Sequence, residues 1–203
     1  MAAVVPVRRL QKWPLVQPIV FVIFGLALSC VVHGFTLSFG FDYDDYHLLH
    51  PHTLREVGGT FVGPWDPTAV EAPFYRPLTA AFYAVRFWAL GVDAWKYHAV
   101  SLAMFAGVAA LFGLFVSIVT ERHLAGALAV VAYVVHPAMP RSQVVWVTNQ
   151  MHLLMSLIVG ATLVWWAARG RFGRGWGWAV VAAVLASFPT ACFRPNVFAH
   201  QPN

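Results

Sequence analysis

The chain has 203 residues, of which 60% are hydrophobic and only 10% are charged, and its mean hydropathy is +0.66. Soluble domains carry about 25% charged residues, so this composition excludes a soluble globular domain and indicates an integral membrane protein. The formal net charge of +5 has an explanation in membrane topology, given below, and does not call for a nucleic-acid partner. No repeat or low-complexity linker divides the sequence, so we predict one all-α membrane domain over residues 1–203.

About 20 mostly apolar residues are needed to cross the hydrocarbon core of a bilayer. The first apolar segment is too long for a signal-peptide core and predicts an uncleaved helix. The third is marginal, because its apolar run is short and ends before His136-Pro137. The sequence predicts about five transmembrane helices: Pro14–Gly40, Tyr97–Thr120, Leu124–Val135, Val144–Ala168 and a last segment from about Gly175 to Phe188.

Basic residues predict the orientation of these helices, because short cytoplasmic loops retain Lys and Arg. Three groups of them fall before the first segment, between the second and third, and between the fourth and fifth. In a protein with five spans all three groups lie on one side. We therefore expect a cytoplasmic N-terminus and an extracytoplasmic first loop, residues 41–96. The three groups are Arg8, Arg9 and Lys12, then Arg122, then Arg169, Arg171 and Arg174.

The first outer loop contains almost all of the acidic residues. Acidic side chains avoid hydrocarbon, so their collection in the longest loop has a simple explanation, but their arrangement suggests more. Only Glu121 lies elsewhere among the 8 acidic residues. The others are Asp42, Asp44, Asp45, Glu56, Asp66, Glu71 and Asp93.

Local patterns predict that this loop is folded. Asp42 or Asp44 can cap a short helix that Pro51 prevents from extending. Thr53 and Glu56 have the spacing of a capping box, which predicts a second short helix ending at Gly58-Gly59. The stretch Arg76–Leu90 is apolar but interrupted by Arg86, so we expect a helix lying along the outer membrane interface.

The stretch FDYDDYHLLHPH, residues 41–52, is the candidate site. Adjacent Asp44 and Asp45 at the membrane surface offer either a general base or a ligand for a cation. Together with the imidazoles of His47, His50 and His52 they would suit a divalent ion such as Mn²⁺ or Zn²⁺ better than Ca²⁺. Their spacing matches no metal motif, so the sequence leaves the cofactor open.

Several short motifs occur in an order that resembles a known family. They are Asp44-Asp45, Arg76-Pro77-Leu78, Tyr97-His98, His136-Pro137 and Trp146. This order is similar to that in the N-terminal half of the GT-C membrane glycosyltransferases. The nearest resemblance is to bacterial relatives of dolichyl-phosphate-mannose protein mannosyltransferases and of tetratricopeptide-containing O-mannosyltransferases. It covers about residues 41–154.

The resemblance implies transfer of a sugar from a polyprenyl-phosphate donor to an acceptor at the outer face of the bacterial inner membrane. It makes Asp44 the base that acts on the acceptor hydroxyl, and Asp45 its helper or a metal contact. It makes Arg76 a partner of the donor phosphate, since a guanidinium offers forked donors to phosphate oxygens; a snorkelling membrane anchor is the alternative. His98 and His136, together with His152, would line the substrate cavity or form interfacial hydrogen bonds.

Two departures from the family pattern bear on these expectations. Many relatives carry an Arg-x-Asp after the tryptophan, where this chain has Thr148–His152, TNQMH. Relatives also continue through further spans, so the chain is expected to be the N-terminal part of such an enzyme. The resemblance does not imply that this part is active by itself. A small transporter or channel subunit and a structural partner in a membrane complex are the alternatives. Transporters usually place ionisable groups within their spans, whereas here the acidic residues avoid them.

Overall fold

The computed structural model describes residues 16–42, 45–46, 49–63, 77–136 and 144–169, and within these ranges every regular element is helical. This confirms the all-α class for the part of the chain that is described. One 3-10 turn, Gly34–Ser38, follows the first helix, and another, Val147–Asn149, precedes the last. The helices are α1 (Val16–His33), α2 (Leu54–Gly59), α3 (Pro77–Leu90), α4 (Ala94–Thr120), α5 (His123–Val135) and α6 (Gln150–Arg169).

Three helical segments are long and apolar enough to cross a membrane: Gln17–Ser38, Ala94–Thr120 and Val147–Ala168. They correspond to the first, second and fourth segments predicted from the sequence. Their lengths of 22, 27 and 22 residues each meet the requirement of about 20 residues for the hydrocarbon core. The length and apolar composition of these helices indicate a membrane protein, with three candidate spans among the described residues.

The third predicted span is a helix, but it is too short to cross by itself. Helix α5 has 13 residues, which at about 1.5 Å per residue gives roughly 20 Å against a hydrocarbon core of about 30 Å. It ends at Val135 because His136 precedes a proline and takes an extended conformation, with φ −65° and ψ 120°. The fifth predicted span lies outside the described residues, so the count of about five is not confirmed.

The long helices form a bundle with α4 at its centre. Helix α1 runs antiparallel to α4, since Phe21 approaches Gly113 and the ring of His33 lies 5.4 Å from that of Phe105. Helix α6 runs parallel to α4, since Gln150 contacts Tyr97 and Gly160 approaches Leu111. The end of α1, the start of α4 and the start of α6 therefore meet at one end of the bundle, which we call the loop end.

Helices α4 and α5 approach each other closely through glycines. A Cβ atom on Gly126 would lie 2.5 Å from the carbonyl oxygen of Gly113 and 2.8 Å from Cζ of Phe21. Small residues allow helix backbones to come this near, which is a common way of packing helices in membranes. The outward face of α1 is exposed and apolar, as expected for a surface that meets lipid: Ile19, Val20, Val22, Ile23 and Val31.

The first loop contains the second of the two short helices predicted from the sequence, whereas the first falls largely outside the described residues. The predicted capping box opens α2: the Thr53 hydroxyl accepts the Glu56 N–H at 3.2 Å, and the Glu56 carboxylate accepts the Thr53 N–H at 2.7 Å. The hydrogen bond from the Thr53 backbone is the main cause that lowers the pKa of Glu56. Helix α3 docks on the loop through Trp88, whose Nε1–H donates to the His52 carbonyl at 3.0 Å. The interfacial disposition of α3 stays a prediction.

Candidate functional site

Asp45 and Tyr46 are helical, and backbone hydrogen bonds join Asp45 to Asp42 and to Leu49. The Asp45 N–H donates to the Asp42 carbonyl at 2.9 Å, and the Leu49 N–H donates to the Asp45 carbonyl at 2.9 Å. The Asp45 side chain also bonds to Asp42, since its Oδ2 accepts the Asp42 N–H at 3.0 Å. This exchange is one half of a capping box, and it fixes the side chain of Asp45 relative to its own turn.

The same carboxylate fastens the first loop to the start of α6. Its Oδ1 accepts both the backbone N–H of Thr148 at 2.8 Å and the Thr148 hydroxyl at 2.7 Å. The Asp45 side chain is completely buried, with 0% exposure, so water does not compete for these bonds. Hydrogen bonds to a charged group each contribute roughly 1.5–3 kcal/mol. Asp45 is therefore a positioning residue that connects segments 103 positions apart in the chain.

Helix α3 joins this connection through Tyr83. The Tyr83 hydroxyl donates to the carbonyl oxygen of Thr148. The backbone N–H of Thr148 is therefore bound by Asp45 of the first loop, and its carbonyl oxygen is bound by Tyr83 of α3. Tyr83 itself is almost fully buried, with 2% exposure. The turn containing Asp45, helix α3 and the start of α6 thus meet at the loop end of the bundle.

One turn further along α3, Arg86 is buried in a cage of aromatic rings. Its guanidinium carbon lies 4.9 Å from the centre of the Phe82 ring, 5.2 Å from that of Tyr83 and 4.8 Å from that of Tyr97. The side chain is only 5% exposed. These distances are within the range of cation–π attraction, so we define the aromatic cage as Phe82, Tyr83 and Tyr97.

The hydrogen-bonding capacity of Arg86 is unused in the part of the chain that the structure describes. None of its three guanidinium nitrogens has a hydrogen-bond partner there. Burial lowers the pKa of Arg86 to about 10, with Tyr83, Tyr97 and Asp45 opposing the shift, so the group stays cationic at neutral pH. Burying an ion costs several kcal/mol, and a cation–π contact returns about 0.5–2 kcal/mol. The aromatic cage offsets part of this cost, while the guanidinium nitrogens are buried without a hydrogen-bond partner among the described residues.

His98 connects the loop end rather than presenting a free imidazole. It is completely buried, and its Nδ1 lies 3.3 Å from the Val144 carbonyl while its Nε2 lies 3.2 Å from the Gly40 carbonyl. His136, at the end of α5, and His152, on α6, are exposed. The three histidines proposed to line a cavity therefore occupy different environments, and their role in substrate binding stays a prediction.

A polar contact beneath the aromatic cage joins α4 to α6. The Gln150 side-chain amide donates to the Tyr97 carbonyl at 2.8 Å and to the Ser101 hydroxyl. Gln150 is completely buried. Such contacts hold transmembrane helices together and typically contribute about 0.6–2 kcal/mol. Gln150 thereby fixes the position of Tyr97 relative to α6.

The structure does not describe all of the other predicted site residues. Asp44, His47 and Arg76 lie outside the described residues. Within the described ranges no group of three or more His, Cys, Asp or Glu side chains could hold a metal ion. His50 and His52 pack ring against ring, with centroids 4.0 Å apart. The described residues therefore provide no set of ligands for the divalent metal ion that the sequence left open.

Sequence reasoning missed three residues of the site: Tyr83, Arg86 and Thr148. A usable signal was present for Arg86, because Phe82 and Tyr83 precede it by one helical turn and so share its face. The interruption of an apolar helix by Arg86 indicated only an interfacial position, whereas the structure buries the guanidinium against Tyr97 of α4. For Thr148 no local signal exists, because its partner Asp45 is far away in sequence.

No protein-family model, no curated protein and no solved structure matches this chain.

Proposed function

We propose that the chain carries the outer-loop site of a membrane glycosyltransferase that takes its sugar from a polyprenyl-phosphate donor. The observation that supports this most directly is the buried carboxylate of Asp45, bound to Thr148. It holds Asp45, one residue of the acidic pair, at the loop end of the bundle, where Arg86 supplies a buried cation. A carboxylate and a cation at one end of membrane-spanning helices suit a reaction between a lipid-borne phosphate and an acceptor from the aqueous side.

The proposed reaction divides its tasks between adjacent residues. Asp44 accepts the proton of the acceptor hydroxyl as its oxygen bonds to the anomeric carbon of the sugar. The bond from that carbon to the phosphate oxygen breaks, and polyprenyl phosphate leaves with the bonding electrons. Asp45 does not take part in proton transfer; its oxygens accept hydrogen bonds from Asp42 and Thr148. We propose that these bonds, by fixing Asp45, position its neighbour in the chain, Asp44. A cation near the leaving phosphate stabilises the developing charge.

The buried histidines favour this surface reaction over an ion path through the membrane. His33 and His98 are the buried histidines of the described candidate spans. The Nε2 of His33 lies 2.8 Å from the Val134 carbonyl, and both ring nitrogens of His98 face backbone carbonyls. Proton and ion relays place ionisable groups along a water-filled route. Here each imidazole is joined to backbone at a helix end.

The proposed location follows from the charge pattern. We propose that the protein lies in a bacterial inner membrane with a cytoplasmic N-terminus, which places the loop end at the outer face. Polyprenyl-phosphate sugars presented there would reach the site from the membrane and acceptors would reach it from the aqueous phase.

The proposal is tested by following a labelled sugar. The full chain is purified, reconstituted into vesicles and supplied with radiolabelled hexosyl polyprenyl phosphate and a membrane extract containing acceptors. We expect label to pass from the lipid fraction to the acceptor fraction. Asp44→Asn keeps the size of the side chain but removes its basicity, and loss of a general base lowers a rate by about 10²–10⁴-fold.

Asp66→Asn is the control, because Asp66 lies in the same loop but outside the acidic pair. We expect it to retain the wild-type rate. The proposal that this chain by itself carries out the transfer is wrong if the unmodified chain transfers no label, and the assignment of Asp44 is wrong if Asp44→Asn transfers label at the wild-type rate.

A further inference from the structure

Helix α5 lies at membrane depth although it is too short to cross the membrane by itself. Its Gly126 packs against Gly113 of α4, with the ring of Phe21 of α1 beside both. The Val134 carbonyl oxygen lies 2.8 Å from Nε2 of His33 of α1. Both partner helices belong to segments that are long enough to cross a membrane. The body of α5 is therefore placed beside hydrocarbon.

Polar residues bound the apolar body of α5 at both ends. At its start, the ring nitrogens of exposed His123 lie 3.1 Å from Nε2 of Gln17 and 3.1 Å from Oγ of Ser117. At its end, exposed His136 takes an extended conformation. The 13 residues of the helix give roughly 20 Å, which is about 10 Å less than the hydrocarbon core of a bilayer.

The bundle extends further on the side of α1. The ring of His33 lies 5.4 Å from that of Phe105. The ring of Phe39 lies 6.4 Å from that of His98, and between Phe105 and His98 helix α4 rises by about 10 Å toward the loop end. Because His33 also bonds to Val134, the chain after α1 continues beyond the level at which α5 ends. Exposed apolar side chains accompany it: Phe35, Leu37 and Phe39.

The outward face of α5 carries large apolar side chains. Leu124, Leu128 and Val135 are exposed in the described part of the chain, and their spacing places them on one face of the helix. The buried residues of α5 lie on its other side, toward α4 and α1: Gly126, Val130 and Val134. Lipid acyl chains are the surroundings that suit such a face at membrane depth.

We propose that the outward face of α5 contacts lipid acyl chains and that the bilayer beside it is thinned to about the length of this helix. A bilayer accommodates a short hydrophobic stretch by thinning locally. Without thinning, the extended backbone at His136 would enter hydrocarbon, where irregular backbone exposed to lipid does not occur. The leaflet at the loop end therefore dips toward the end of α5 and stays higher beside α1. This inference does not depend on the proposed sugar transfer.

The test measures the depth of nitroxide labels in the full chain, reconstituted into vesicles of dioleoyl phosphatidylcholine. Depth is reported by collisions with oxygen, which is enriched among acyl chains, and with a water-soluble nickel chelate. Val135→Cys probes the end of α5, and Leu128→Cys is the reference in its middle. Each variant is made with Cys30 and Cys192 replaced by serine, so that one thiol is labelled.

Val31→Cys is the matched control, because Val31 is an exposed residue of α1. It lies near the level of Val135, since His33 bonds to Val134, but the chain after α1 continues toward the loop end. We expect the label at Val135 to lie at least about 5 Å closer to the headgroups than the label at Val31, because the helix is roughly 10 Å shorter than the core. The label at Leu128 should collide mainly with oxygen.

Equal depths at Val31 and Val135, or a deeper label at Val135, would overturn the proposal, because the bilayer would not be thinner beside α5. A label at Val135 that collides with neither reagent would overturn it as well, since protein would then cover the outward face of α5. Frequent collisions of the Leu128 label with the nickel chelate would place α5 in water, which also contradicts the proposal. Absence of sugar transfer changes none of these outcomes.

Discussion

Asp45 and Arg86 carry opposite charges at the same end of the bundle, yet they do not form an ion pair with each other. The Asp45 carboxylate is bound by donors of Asp42 and Thr148, whereas Arg86 faces aromatic rings. A buried ion pair would neutralise both groups and leave neither available. The two charges are therefore compensated by different groups: hydrogen-bond donors surround Asp45, and aromatic rings surround Arg86.

We expect Thr148→Val to lower the melting temperature of the protein. The substitution keeps the shape of the side chain and the backbone N–H, but removes the hydroxyl that donates to Asp45 at 2.7 Å. A hydrogen bond to a buried charge contributes roughly 1.5–3 kcal/mol. For a chain of this size about 2–4 °C are lost per kcal/mol. Thermal denaturation followed by tryptophan fluorescence in detergent measures the change.

Thr120→Val is the matched control for this experiment. Thr120 is exposed at the end of α4, where its hydroxyl donates to the Val116 carbonyl at 2.7 Å. Exposed substitutions usually change stability by less than about 0.5 kcal/mol. Equal melting temperatures for the two variants would show that the bond between Thr148 and Asp45 contributes no more than an exposed one.

At the scale of elements, the close contact between α4 and α5 shows how a helix too short to span is held in the bundle. Helix α5 lies antiparallel to α4, with Gly126 opposite Gly113 and the ring of Phe21 beside both. At its other end the Val134 carbonyl bonds to His33 of α1. The short helix is thus fixed by backbone contact at one end and by a polar contact at the other.

We expect Gly126→Val to destabilise the protein by about 1–3 kcal/mol, the usual cost of overpacking a close-packed site. The new Cβ would lie 2.5 Å from the Gly113 carbonyl oxygen, and a backbone oxygen cannot move aside unless α4 shifts. Gly34→Val is the control, because a Cβ on Gly34 has nothing within 4 Å. Thermal melting of both variants decides the matter, and a wild-type melting temperature for Gly126→Val would contradict the close contact.

Elements with local determinants could be read from the sequence, whereas the contacts of the site could not. The capping box of Thr53 and Glu56 was readable because both partners lie within one turn. Helix α3 and the start of the turn at Asp42 were readable for the same reason. The burial of Arg86 against Tyr97 depends on how α3 docks on α4, and no periodicity within α3 encodes that packing.

At the scale of the whole molecule, the alternation of helix directions places all the described loop segments of the site together. Helix α1 arrives at the loop end, α4 leaves from it, α5 returns toward it and α6 leaves again. Hydropathy predicted three of these segments at nearly their observed bounds, because transfer into lipid depends on composition alone. It also gave α5 nearly its observed bounds, but it counted this 13-residue helix as a span although the helix is too short to cross by itself.

This alternation yields the last prediction, which concerns the orientation in the membrane. Basic residues favour the cytoplasm for the end where α4 joins α5, so we expect Val62→Cys, at an exposed site of the first loop, to react with a membrane-impermeant maleimide in intact cells. Arg122→Cys, exposed between α4 and α5, should react only after permeabilisation. Both variants are made with Cys30 and Cys192 replaced by serine, so that the new thiol is the sole target. Labelling of Arg122→Cys but not Val62→Cys in intact cells would reverse the orientation and place the proposed site at the cytoplasmic face, away from an acceptor outside the cell.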